Sequence, residues 1–197
     1  MRVIAGTLRS RPLTAPPGLQ TRPTTDRLRE TLFNILTQGA TDRVAGHHFL
    51  DLYSGSGAVG IEALSRGASH TVFVEQAPSA LAILNRNLAT LALRTGFTLE
   101  KRSVAAYLRR EAKSLESAPP ARQFTTIFLD PPYDSTEYDL ALTLLGNECA
   151  TLLAPNALVI AEHRKKSPLP KQFGQLQRIR LLHQGDAALS FYQLAPN

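Results

Sequence analysis

Only one cysteine, Cys149, occurs in 197 residues, so neither a disulfide framework nor a thiolate zinc cluster can be built and a reducing compartment is expected. The five histidines, His47, His48, His70, His163 and His183, fall at no metal-ligand spacing, and no metal site is expected. No apolar run approaches the roughly 20 residues that cross a bilayer. The start, Met1-Arg2-Val3-Ile4-Ala5-Gly6, lacks the apolar centre of an export signal, so a soluble, cytoplasmic chain is expected. Long internal repeats, coiled-coil heptads and low-complexity tracts are missing too. Acidic residues are scarce at the two ends. Residues 1–48 carry seven Arg against three acids, residues 163–197 six basic side chains against one acid, and the centre nine basic against twelve acidic. That distribution is expected when terminal segments grip a polyanion and the middle does chemistry.

What is present is an alternation. Apolar runs at 48–53, 71–75, 97–101, 124–129 and 157–161 read as strands. The stretches 57–66, 79–93, 104–115 and 138–153 read as helices, the second with Leu81, Leu84, Leu88 and Leu91 at helical spacing. Ala118-Pro119-Pro120-Ala121 breaks the chain before the fourth strand. Repeated strand–helix units imply a parallel sheet covered on both faces. The last stretch departs from this rhythm: residues 176–183 and 188–194 alternate around Gln184-Gly185-Asp186 with no helix between them, which predicts an antiparallel hairpin. Near the start, residues 1–13 read as a small hairpin turning near Gly6. A helix follows, with Leu28, Leu32, Ile35 and Leu36 on one face and Thr25 or Asp26 as its cap. A basic hairpin extension over 1–22 and a catalytic domain over 23–197 are the expected division.

Chemistry concentrates where strands end. The first strand runs into Asp51-Leu52-Tyr53-Ser54-Gly55-Ser56-Gly57-Ala58-Val59-Gly60, which matches the dinucleotide fingerprint G-x-G-x-x-G and keeps a nicotinamide or flavin enzyme open. Asp51 would repel a pyrophosphate but welcome an ammonium group, as carried by S-adenosylmethionine. Glu75 closes the second strand, where a carboxylate can accept both hydroxyls of a ribose, and Ser103-Val104 follow the third, where an adenine edge would lie. The fourth delivers Asp130-Pro131-Pro132-Tyr133. Asp130 and the Pro131 carbonyl can accept from an exocyclic amine, and Tyr133 offers a ring on which a flat base can stack.

The glycine loop, Glu75 and Asp-Pro-Pro-Tyr, in that order, resemble the class I, Rossmann-like methyltransferases that act on exocyclic amines. More narrowly, three stretches are similar to the RsmD family of 16S rRNA (guanine-N2)-methyltransferases, and the similarity spans nearly the whole chain. They are Arg2-Val3-Ile4-Ala5-Gly6; Arg22-Pro23-Thr24 with Asp26-Arg27, Arg29-Glu30 and Phe33-Asn34; and the run from Asp51 to Arg66. The resemblance implies a Rossmann-like α/β fold, with a seven-stranded, mostly parallel sheet ending in an antiparallel hairpin. It implies S-adenosylmethionine as cofactor, held by Asp51, Tyr53, Ser54, Gly55, Ser56, Gly57, Glu75, Gln76, Ser103, Val104 and Asp130. The catalytic set is Asp130, Pro131, Pro132 and Tyr133. Ser103 stands where many class I enzymes place an Asp toward the adenine amino group, so Ser103 or a backbone group must substitute.

The implied partner is 16S rRNA, in the small ribosomal subunit or an assembly intermediate, acted on by a monomer. Arg2, Arg9, Arg11, Arg22, Arg27 and Arg29, with Arg164, Lys165, Lys166 and Lys171, are the candidate phosphate grips; Arg27 or Arg29 can instead brace its own helix, and the histidines are structural or RNA-facing. DNA amino-methyltransferases of adenine N6 or cytosine N4 use the same tetrapeptide and stay open. The catalytic fold takes most of the chain, however, and leaves little room for a separate sequence-reading domain.

Overall fold

Strand residues apolar at successive positions need cover on both faces, and a computed structural model of the chain provides it. It describes residues 1–15, 23–38, 41–115, 123–132 and 136–195. Strands β1 (His48–Leu52), β2 (His70–Val74), β3 (Phe97–Glu100), β4 (Phe124–Leu129) and β5 (Leu153–Arg164) pair in parallel. Helices α2 (Ala58–Ser65), α3 (Pro78–Thr90), α4 (Val104–Leu115) and α5 (Glu137–Gly146) alternate with them, and α1 (Pro23–Thr37) precedes β1. Antiparallel β6 (Gln172–Phe173), β7 (Leu176–Gln184) and β8 (Ala187–Leu194) complete one sheet in the order β3-β2-β1-β4-β5-β8-β7-β6.

Alternation along β1 assigns the faces. Leu50 and Leu52 join Val104, Tyr107 and Leu108 of α4 and Ala141, Leu142 and Leu145 of α5 in one core. Phe49 packs with Leu28, Leu32, Phe33 and Leu36 of α1 on the opposite side. Burying each such side chain contributes about 1.5–3 kcal/mol, enough to hold α1 in place without a strong cap.

Several boundaries differ from the sequence reading. Among the described residues the sheet has eight strands, because β6 adds a two-residue edge piece beyond Pro168 and Pro170, too short to show alternation. Helix α1 begins at Pro23, which puts Asp26 in its first turn rather than at its cap. Helix α5 stops at Gly146, where a β-carbon would come within 1.9 Å of the Phe173 carbonyl oxygen; a short 3-10 turn, Ala150–Leu152, follows in place of continued helix. Strand β5 starts at Leu153 rather than Ala157, running through Pro155 and Asn156 in an irregularity where pairing jumps from Phe124↔Leu153 to Thr126↔Leu158. The break expected at 118–121 lies outside the described residues.

The first residues form the expected hairpin, with Val3 N–H donating to Arg11 O at 2.9 Å and Leu13 N–H to Met1 O at 3.0 Å. Its reversal spans residues 7–10 rather than Gly6. Gly6 instead approaches α2 so closely that a β-carbon would lie 1.8 Å from the Ser65 carbonyl oxygen. The hairpin is pinned from below by Glu62, fully buried, whose carboxylate accepts from Ile4 N–H (2.7 Å), Ala5 N–H (3.0 Å) and the Arg66 Nε (2.7 Å). A buried carboxylate is tolerated only with such compensation.

Candidate active site at the carboxyl edge of the sheet

Register brings the strand ends level. Leu52 pairs with Val74 on one side and Leu129 on the other, so Tyr53, Glu75 and Asp130 emerge from three adjacent strands at one edge. With neighbouring strands about 4.8 Å apart, the β2 and β4 ends flank β1 at a separation of about 10 Å. The order reverses between β1 and β4, the position where open α/β sheets bind ligands.

The glycine loop between β1 and α2 is held by the chain's own acceptors. Gly55 N–H donates to Glu75 Oε2 at 3.0 Å, Gly57 N–H to Ser54 O at 2.7 Å and Gly60 N–H to Asp51 Oδ2 at 2.9 Å. Gly60 has no room for a side chain: a β-carbon would sit 2.3 Å from the Phe73 ring and 2.9 Å from Asp51 Oδ2. Glu75 Oε1 accepts from Gln76 N–H and Ala77 N–H, both at 2.8 Å. In a dinucleotide site these loop amides would face the pyrophosphate. Here Gly55 and Gly60 face carboxylates and Gly57 a backbone carbonyl, and an anionic ligand on the loop would meet Asp51 and Glu75. The donor set fits a cationic nucleoside without phosphate.

Asp51 is 2% exposed, and burial pushes its carboxyl up to about 7, opposed by the Gly60 amide and reinforced by the negative charge of Glu75. Because the folded-state value lies above the ordinary 3.8, the favourable contribution is complete below about pH 4 and is lost as pH rises through 7. The full loss is roughly 4 kcal/mol at most. Asp51→Asn keeps an acceptor for Gly60 and removes the charge. The ligand-free variant is therefore expected to melt several degrees above the parent at pH 8–9 and level with it near pH 4, as thermal denaturation across pH measures. Parallel curves would remove Asp51 as the titrating group.

The other expected residues divide. Ser54 and Ser56 are buried in the loop. Asn87 of α3, 1% exposed, donates to Ser56 O (2.9 Å) and Thr14 O (3.1 Å) and accepts from Thr14 N–H (2.8 Å), tying the hairpin to the loop. Gln76 is exposed and contributes its amide to Glu75. Half-buried Ser103 caps α4, its Oγ accepting from Ala106 N–H at 3.4 Å with its O–H donor left over, and the Val104 side chain is buried in the core, leaving only backbone at that residue for a ligand. Asp130 and Pro132 are exposed while Pro131 is buried. Tyr133 and Arg22 lie outside the described residues.

Among the grips, Arg2, Arg9, Arg11, Arg27, Arg164, Lys165, Lys166 and Lys171 are exposed. Arg29 is not available for phosphate: it is 4% exposed and its guanidinium binds Asp26 (3.0 Å) and the Arg2 carbonyl, so it braces α1 against the hairpin. Burial also lowers its pKa. His163, buried on Ser190 Oγ at 2.9 Å, is structural. Among the described residues no cluster of His, Cys, Asp and Glu could hold a metal, and no helix is long and apolar enough to cross a membrane.

Three side chains at this edge went unread in the sequence. Glu137 passes for an ordinary acid in a first helical turn and Tyr138 for a core residue. Asn87 did leave a signal, a polar position on the stripe of Leu84, Leu88 and Leu91.

A family model described as Conserved hypothetical protein 95 matches residues 1–193. The chain is 34% identical over 193 residues to ribosomal RNA small subunit methyltransferase D of Escherichia coli strain K12, covering 98% of this chain and 89% of the relative. The solved structure of the Escherichia coli protein yhhF superposes with a TM-score of 0.76 at 31% identity, covering 100% of this chain and 99% of the other. SMU.776, solved in complex with S-adenosylhomocysteine, shares the fold at a TM-score of 0.65 and 18% identity, covering 87% of this chain and 50% of its own.

Proposed function

Because this chain belongs to the RsmD family of methyltransferases, we propose that it moves the methyl group of S-adenosylmethionine to the exocyclic N2 of a guanine in the 16S rRNA of the small ribosomal subunit. One observation carries the reading. The amides of the glycine loop turn toward Glu75 and Asp51, at the same edge from which Asp130 and Pro131 emerge. A cation-accepting cradle thus adjoins a pair of amine acceptors.

When bound, S-adenosylmethionine supplies an electrophilic methyl carbon on a sulfonium. The chain's part is to hold, orient and desolvate. Glu75 accepts the ribose hydroxyls, the loop from Ser54 to Gly57 supplies the wall, and Asp51 gives the negative charge that an ammonium group prefers. The lone pair of guanine N2 is delocalised into the ring. Asp130 and the Pro131 carbonyl accept hydrogen bonds from its two N–H groups, so the nitrogen turns tetrahedral with its lone pair outward. As the N–C bond forms and the C–S bond breaks, the nitrogen becomes cationic and then releases one proton to solvent. Asp130 works ionised and favours the positive charge that grows on nitrogen. Unstacking the target base costs a few kcal/mol, and stacking on Tyr133 returns about 1–3 kcal/mol. The hairpin extension over 1–22 and the segment 164–166 grip phosphates, and the enzyme works as a cytoplasmic monomer on rRNA in the subunit or an assembly intermediate.

Small subunits and duplex DNA, each incubated with tritiated S-adenosylmethionine, test the reading. Label is expected in rRNA, released on digestion as N2-methylguanosine. Label on DNA adenine or cytosine, or none in either polymer, would overturn it. The grips carry a separate expectation: rRNA affinity falls steeply with salt, and Arg9→Ala, Arg11→Ala or Lys165→Ala each flatten the log–log slope by roughly one. Slopes that do not change on substitution would remove those residues from the interface.

A further inference from the structure

Tyr53 is an aromatic residue with φ +57, a sparsely populated left-handed conformation, between the end of β1 and the glycine loop. Its hydroxyl donates to Glu137 Oε2 at 2.7 Å, 84 residues along the chain. Burial together with this bond raises the pKa of the phenol, so it stays a donor throughout the working range. Glu137 opens α5, and its neighbour Tyr138 is buried with its hydroxyl donating to Glu162 O at 2.8 Å and lying 3.3 Å from Pro131 O. The one hydroxyl proton is shared between the two carbonyls, with the shorter bond to Glu162 the stronger, so the Pro131 carbonyl is held lightly and keeps acceptor capacity for an amine.

These contacts make a short mechanical path. The glycine loop meets the start of α5 through Tyr53 and Glu137, and α5 meets the Asp130-Pro131 turn through Tyr138. We propose that Tyr53 and Glu137 are positioning residues that set the separation between the methyl donor on the glycine loop and the amine on Asp130 and Pro131. The inference rests on the methyltransferase reading above. Neither residue need touch the reacting atoms. A left-handed aromatic residue is an expensive way to join a strand to a loop, and its phenol–carboxylate bond gives that conformation a task. Reaction rate responds steeply to such placement, since a displacement of about 1 Å costs on the order of 100-fold.

The test uses single-turnover methyl transfer at saturating rRNA and S-adenosylmethionine, with calorimetric affinity for S-adenosylhomocysteine measured in parallel. Tyr53→Phe, which keeps the backbone and ring that a cofactor contact at this position would use and removes only the hydroxyl, and Glu137→Ala should each slow transfer by about 10- to 100-fold while cofactor-product affinity stays within about threefold. The double variant should be no slower than the slower single, because both remove the same bond. Glu137→Gln, which loses the helix-start charge but keeps an acceptor for the phenol, should recover most of the rate. Rates of the singles within threefold of the parent, losses that multiply, losses that track affinity, or no recovery in Glu137→Gln would each overturn the proposal. A parent protein that transfers no methyl group would instead overturn the function on which it rests.

Discussion

Asp130→Ala lowers methyl transfer roughly a thousandfold while S-adenosylhomocysteine affinity stays within a few-fold. The expectation follows from position. Asp130 stands at the end of β4, on the far side of β1 from Glu75, and in the proposed function its carboxylate serves the incoming amine rather than the ribose. Losing a preorganised group that acts on charge developing in the transition state costs on the order of 100- to 1000-fold, and Asp130 also helps to orient the amine. Asp130→Asn, which keeps one acceptor oxygen without the charge, should fall between. Initial-rate kinetics with calorimetry separate the two quantities; lost affinity with intact turnover at saturation would move Asp130 out of the catalytic role.

Glu75→Ala gives the opposite pattern. Charge-assisted hydrogen bonds to the ribose, at about 1.5–3 kcal/mol, correspond to roughly 10- to 150-fold weaker cofactor binding. The substitution also strips the acceptor from Gly55, Gln76 and Ala77, so the loop loses its brace together with its ligand contact. Turnover at saturating S-adenosylmethionine should survive within about tenfold, because no group at the reacting nitrogen has changed. Unchanged affinity in Glu75→Ala would place the ribose elsewhere.

Much of this site is legible in the chain because it is built from strand ends. A parallel strand buried on both faces announces itself as an apolar run, and a polar residue that closes it, as Glu75 and Asp130 do, or that interrupts its last residues, as Asp51 does, is conspicuous. Pairing register, which the chain does not spell out, then brings Glu75 and Asp130 level at one edge, with Asp51 two residues back from it on β1. The basic ends were readable as composition but not as individual roles. Arg29 looks like its neighbours in sequence, and only packing of α1 against the hairpin shows that its charge is spent on Asp26 and the Arg2 carbonyl. The two-residue β6 left no periodic signal, and the pairing irregularity at Pro155-Asn156 breaks the apolar run, so that only its part from Ala157 reads as strand. Contacts between residues remote in sequence have no local signature for the pairing itself: nothing near Tyr53 points to Glu137, and Asn87, though conspicuous on its apolar stripe, does not announce Thr14 and Ser56 as its partners.

The most direct measurement is a crystal structure of the protein with S-adenosylhomocysteine. Ribose hydroxyls on Glu75, with the sulfur turned toward the Asp130-Pro131 end of the crevice, is the result this account predicts. Product seated away from the β1, β2 and β4 ends, or with its sulfur pointing away from Asp130, would contradict it.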